Sequence, residues 1–139
     1  MYVHLARVLS LPLTRREVQL ANGEEDLKMA VEQPNVDVNQ AVTLLNRGDV
    51  RLLDVREDDE WAAGHAPEAE HVRLADLDPN TFGPGSVVVT CRSGNRSTKA
   101  SRTLVEAGID AYNLDGGMKA WEQAGRPVVR DDGTPGAVS

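Results

Sequence analysis

One cysteine, Cys91, stands in the stretch Val87-Val88-Val89-Thr90-Cys91-Arg92-Ser93-Gly94-Asn95-Arg96-Ser97-Thr98, followed at once by Arg92 and five positions on by Arg96. A thiolate, not a thiol, is the nucleophile, and in electropositive surroundings a cysteine pKa falls from about 8.5 to roughly 3.5–7.5. The two arginines supply that surrounding charge. Between them, Ser93, Gly94 and Asn95 are residues that turn a chain or tolerate unusual backbone angles, and Ser97 and Thr98 are natural helix N-caps. The first turn of a helix has backbone N–H groups without partners and carries the positive end of the macrodipole, so a sulfur placed there ionises more easily. The competing reading is a buried packing cysteine, since free cysteine is among the most buried residue types. A packing cysteine needs neither flanking arginines nor a Gly-Asn turn.

The elements that must position this loop can be read from the pattern. Three consecutive β-branched residues, Val87 to Val89, indicate a strand buried on both faces, which is the pattern of a central parallel strand. The cysteine ends that strand, and a helix follows over 97–107 with Ala100, Leu104 and Ala107 at helical spacing and Gly108 as its stop. Upstream, Val36 starts a short edge strand. Asp37 or Asn39 caps a helix with Val38, Val42 and Leu45 on one face. Residues 50–55 form a second strand with Asp54 near its end, and 57–63 a short helix, acidic at its start and stopped by Gly64. A third strand is expected at 71–74, another at 111–114, and a last helix at 118–124 sharing Met118 and Trp121 on one face. Strands alternating with helices make an α/β fold, a parallel sheet covered on both sides. Ligands in such sheets bind beyond the C-terminal strand ends, where both Asp54 and Cys91 fall.

A chain of 139 residues suits one domain. Its net charge of −7 argues against a nucleic-acid binder, which would carry a basic face. A lone cysteine forms no internal disulfide, and we expect a reducing compartment, the cytoplasm. No run of 18 apolar residues is present to span a membrane. Residues 1–33 are expected to be a loosely held extension outside the core. Arg7 interrupts their apolar part, no basic segment precedes it, and Gly23-Glu24-Glu25 a few codons ahead of Met29 suggests Met29 as the natural start. The folded domain then covers 34–130, and 131–139, small and polar, reads as a frayed tail.

Leu53-Asp54-Val55-Arg56, Glu60-Trp61, Gly64-His65-Ala66-Pro67, the loop Cys91 to Ser97, and Leu114-Asp115-Gly116-Gly117-Met118-Lys119-Ala120-Trp121 come in an order that resembles a single-domain rhodanese over about 35–129. The resemblance implies a three-layer fold around a five-stranded, mostly parallel sheet, and sulfurtransferase activity through a cysteine persulfide, with no metal or organic cofactor. It implies Cys91 as nucleophile and Arg92, Ser93, Gly94, Asn95, Arg96 and Ser97 as its cradle, with either Arg92 or Arg96 receiving the anion. Asp54 and Arg56 match the family's strand-end pair and His65 its Gly-His turn; all three are expected to support the fold rather than touch substrate. Glu68 and His71 depart from the family's usual glycine and asparagine. The implied partners are thiosulfate or a persulfide as donor and cyanide, a small thiol or a protein thiol as acceptor.

Two other readings fit parts of this pattern. Cysteine phosphatases and arsenate reductases use a loop of cysteine, five residues and arginine, whereas Arg96 here follows after four residues, leaving a ring suited to sulfur rather than phosphate. A non-catalytic module for protein binding or sulfur sensing would typically lack the cysteine.

Overall fold

The computed structural model describes residues 34–139; the expectations for residues 1–33, including a start at Met29, lie outside them. Five parallel strands form one sheet in the order β1-β5-β4-β2-β3: β1 Asn35–Val36, β2 Val50–Asp54, β3 Glu70–His71, β4 Ser86–Thr90 and β5 Asp110–Leu114. The helices are α1 Val38–Leu45, α2 Asp58–Ala63, α3 Asn95–Glu106 and α4 Gly117–Gln123, with 3₁₀ turns at Leu74–Asp76 and Pro79–Thr81.

Strand β4 is central, and Val87, Val88 and Val89 are each at most 1% exposed. Period-two alternation sorts them into separate layers. Val88 packs with Val36, Ala41, Leu52, Met118 and Trp121, the side covered by α1 and α4. Val87 and Val89 pack with Leu53, Ala100, Leu104 and Cys91, the side covered by α3. Cys91 thus continues the 87, 89, 91 alternation, and its thiol faces the helix that follows it. Three layers result, as expected.

Several boundaries differ from the sequence reading for identifiable reasons. Asp37, not Asn39, caps α1: its carboxylate accepts the Gln40 N–H at 2.8 Å while Gln40 Oε1 accepts the Asp37 N–H at 2.9 Å, a reciprocal capping box. With the helix starting at Val38, the buried set is Val38, Ala41 and Leu44, and Val42 and Leu45 are only partly covered. The third strand is short because β2, its pairing partner, ends at Asp54. The Val72 and Leu74 amides still donate to Asp54 and Val55, and then the chain turns into 3₁₀ geometry.

The segment 131–139, expected to fray, instead closes on the body. Val129 pairs antiparallel with both His65 and Pro135, Gly136 N–H donates to Val128, and Ala137 N–H donates to Ala63. Backbones cross here at a distance only glycine permits: a Cβ on Gly64 would lie 2.6 Å from the Ala137 nitrogen, and one on Gly136 2.7 Å from the Ala63 oxygen. Gly64 and Gly136 therefore make this backbone packing possible.

Candidate active site

Helix α3 begins two residues before the expected Ser97. Its N-cap is Gly94, at φ 114, a left-handed angle that glycine adopts without penalty. A glycine cap brings no side-chain acceptor, and the Cys91 sulfur takes that place. Sγ accepts the Gly94 N–H at 3.1 Å and the Ser97 N–H at 3.4 Å, and lies 3.3 Å from Ser97 Oγ. Ser97, on the third helical position, is therefore a ligand of the sulfur, not a cap. Its hydroxyl also reaches Asn113 Oδ1 at 2.5 Å, and the Asn113 amide is oriented by its own donation to Asn35 Oδ1 at 2.8 Å.

Cys91 is 1% exposed, while Arg92, Ser93 and Asn95 around it are exposed. Burial pushes the thiol pKa up, but the Ser97 hydroxyl and the amides of Ser97, Gly94 and Ser93 outweigh it, and the net shift is downward. The amides and hydroxyl lower it more than the arginines do. Replacing Ser97 by Ala should therefore raise the thiol pKa and slow alkylation of Cys91 by iodoacetamide at neutral pH. An unchanged pH midpoint for alkylation would show that the backbone alone sets the thiol.

The backbone behind the sulfur is held from α4. Met118 N–H donates to the Cys91 carbonyl at 2.7 Å and Lys119 N–H to that of Arg92 at 3.0 Å. Gly117 makes this approach possible: at φ +61, any Cβ would lie 2.6 Å from the Cys91 oxygen.

The two arginines have different surroundings. Arg92 donates from Nε to the Ser139 carbonyl at 2.7 Å. Arg96 is clamped by Glu60, Nη1 to Oε1 at 2.7 Å and Nη2 to Oε2 at 2.8 Å. The Arg96 bond holds the Glu60 carboxyl down at about 2, and Arg96 is raised further above its already high value in return. In the sequence Glu60 stands only as part of the Glu60-Trp61 motif. Its role was visible in no local pattern, because the pair spans 36 positions.

Asp54 and Arg56 are fully buried at the end of β2 and pair bidentately, with contacts of 2.7–3.0 Å. Arg56 Nη2 also donates to the Gly64 carbonyl, and its own carbonyl is met by His71 Nε2 at 2.7 Å. His65 contacts the Trp61 carbonyl through Nδ1 at 2.9 Å and approaches Asp131 at 3.4 Å. Trp61 stacks with both His65 and His71, with ring centroids 3.6 and 4.7 Å away. These contacts join β2, α2, β3 and the C-terminal segment, and none of them reaches the sulfur. Among the described residues no group of three or more His, Cys, Asp or Glu is placed to hold a metal, and no helix is long and apolar enough to cross a membrane.

A family model described as Rhodanese-like domain matches residues 37–124. A protein of Bacillus subtilis (strain 168) named "Putative sulfurtransferase YtwF" is 42% identical over 79 residues, which cover 55% of this chain and 77% of that one. Among solved structures, a rhodanese-related protein from Thermoplasma volcanium superposes with a TM-score of 0.64 at 25% identity, over 69% of this chain and 97% of its own. A rhodanese-like domain protein from Staphylococcus aureus gives a TM-score of 0.58 at 31% identity, over 64% and 91%. The family match takes in the strand-end pair, the cysteine loop and the glycine turn that backs it, and on that ground the chain belongs to the rhodanese-like family.

Proposed function

We propose that this protein is a sulfurtransferase that carries a sulfane sulfur on Cys91. The observation that carries the reading is the Sγ atom itself, buried and lowered in pKa at the focus of loop N–H groups. A thiolate so placed attacks the outer sulfur of a sulfane-sulfur donor, thiosulfate or a persulfide. With thiosulfate, a new S–S bond forms, the S–S bond of the donor breaks, and sulfite leaves with its electron pair. The persulfide anion is larger than the thiolate, and the same amides are positioned to stabilise its charge. Cyanide or a thiolate then attacks the outer sulfur, and the Cys91 thiolate departs with the bonding pair. Every residue needed is on the loop or behind it, and the chemistry draws on no metal or organic cofactor.

Burial supports sulfur over phosphate as the group transferred. Only a small protruding atom reaches a sulfur that is 1% exposed at the floor of a short loop. A phosphoryl group needs a wider ring and a guanidinium free to clamp it, and Arg96 is held by both oxygens of Glu60.

With one cysteine in the chain, intact-mass spectrometry reads the reaction directly. Incubation with thiosulfate or with glutathione persulfide should add the mass of one sulfur atom, and cyanide should remove it. Protein left unmodified by both donors would overturn the proposal and favour a binding or sensing module.

A further inference from the structure

Thiosulfate is a dianion, so a site built for it should present uncommitted positive charge to the sulfur. Arg96 does not: it is bound by both carboxylate oxygens of Glu60. Arg92 is exposed and keeps its charge, with Nε alone engaged by the Ser139 backbone oxygen. Glu60 is not a casual surface partner. Its side chain is 16% exposed, and its Oε1 also accepts the Glu57 N–H at 3.0 Å, which ties it to the N-cap of α2. With its carboxyl held down at about 2, Glu60 remains an anion wherever the Cys91 thiolate exists. The pair is net neutral at every working pH.

The charges of the two candidate reactions differ sharply. At the reacting atoms, a thiolate meeting thiosulfate gathers three negative charges, whereas a thiolate meeting the protonated S–SH group of an organic persulfide, R–S–SH, gathers one. Like charges at such distances repel strongly in a partly buried site. Beside Arg96 a groove of about 420 Å³ runs between α3 and the Leu74–Asp76 turn, lined by Glu57, Leu74, Ala75, Leu77, Lys99 and Thr103. That space suits an organic carrier, and thiosulfate has none to fill it.

Resting on the sulfurtransferase reading, we infer that Glu60 is a specificity-determining residue which, by neutralising Arg96, selects organic persulfide donors over thiosulfate. The favoured step balances: the Cys91 thiolate bonds to the outer sulfur of R–S–SH, the donor S–S bond breaks, and R–S⁻ leaves with the electron pair. The proton stays on the transferred sulfur or passes to the leaving thiolate.

The test compares kcat/KM for thiosulfate and for glutathione persulfide, with cyanide as the common acceptor. Wild-type protein should favour the persulfide. Glu60→Gln should raise the thiosulfate-to-persulfide ratio about tenfold, mainly through a lower KM for thiosulfate, with a steeper loss at high salt. The double variant Glu60→Gln/Arg96→Gln removes both charges and should return the ratio toward wild type. A merely structural role for Glu60 would lower both efficiencies together and leave the ratio unmoved, which overturns the inference. So does a wild-type protein that prefers thiosulfate, a result that needs no variant to fold. Absence of a Cys91 persulfide from either donor would instead overturn the sulfurtransferase reading itself.

Discussion

Cys91→Ser should abolish the proposed sulfur transfer, by about 10⁴-fold or more, while leaving the fold in place, the largest effect expected of any single substitution here. A serine hydroxyl stays protonated at neutral pH and does not take up sulfane sulfur, so the mass adduct disappears. The structural cost is small for a specific reason. Sγ serves as the cap of α3, accepting the Gly94 and Ser97 N–H groups, and a serine oxygen accepts the same bonds. The two proteins should still differ in how stability depends on pH. The thiol pKa is lowered in the folded state, so its contribution is fully present above the unfolded value of about 8.5 and is lost as pH falls through the folded value. Wild type should therefore gain stability relative to Cys91→Ser as pH rises through that window. Denaturant unfolding of both proteins between about pH 6 and about pH 9.5 measures it. Parallel curves would mean that the thiol is not lowered.

The sequence signals that succeeded were local ones. Three valines in a row marked β4 as central, and glycines such as Gly64 and Gly108 marked helix stops, because β-branching and the absence of a Cβ act on the residue's own backbone. The loop is legible as a thiol cradle because the amides of Ser93, Gly94 and Ser97 lie within six positions of Cys91. The start of α3 was misplaced because the rule seeks a serine or threonine cap. Here the capping atom is a sulfur three residues upstream of Gly94. Contacts between distant segments left no trace: Glu60 with Arg96, Asn113 with Ser97, and Ala137 against Gly64. Composition misleads at 131–139, where many small polar residues read as a frayed tail, while Gly136 and Ala137 let the backbone lie against the end of α2.

Arg56→Ala should be the most destabilising change outside the core apolar residues, costing about 3–5 kcal/mol. Arg56 and Asp54 are each 0% exposed, and the arginine supplies Asp54 with three contacts through Nε and Nη2. Removing it leaves a carboxylate in the interior with only the backbone N–H of residue 56 to satisfy it. It also strips the Gly64 carbonyl of its donor, at the point where the C-terminal segment crosses. For a domain of this size the thermal midpoint should drop by about 10 °C or more. The same pair tests whether charge or volume is what the site needs. Asp54→Leu/Arg56→Met, which removes both charges and keeps most of the volume, should be more stable than Arg56→Ala, since the penalty lies in the unpaired ion rather than in the missing pair. Because no bond joins this pair to the sulfur, the folded fraction of either variant should alkylate at Cys91 with a pH midpoint close to wild type. Calorimetric midpoints within about 2 °C of wild type for Arg56→Ala would show that Asp54 finds other partners and that the pair is not the brace of this sheet edge.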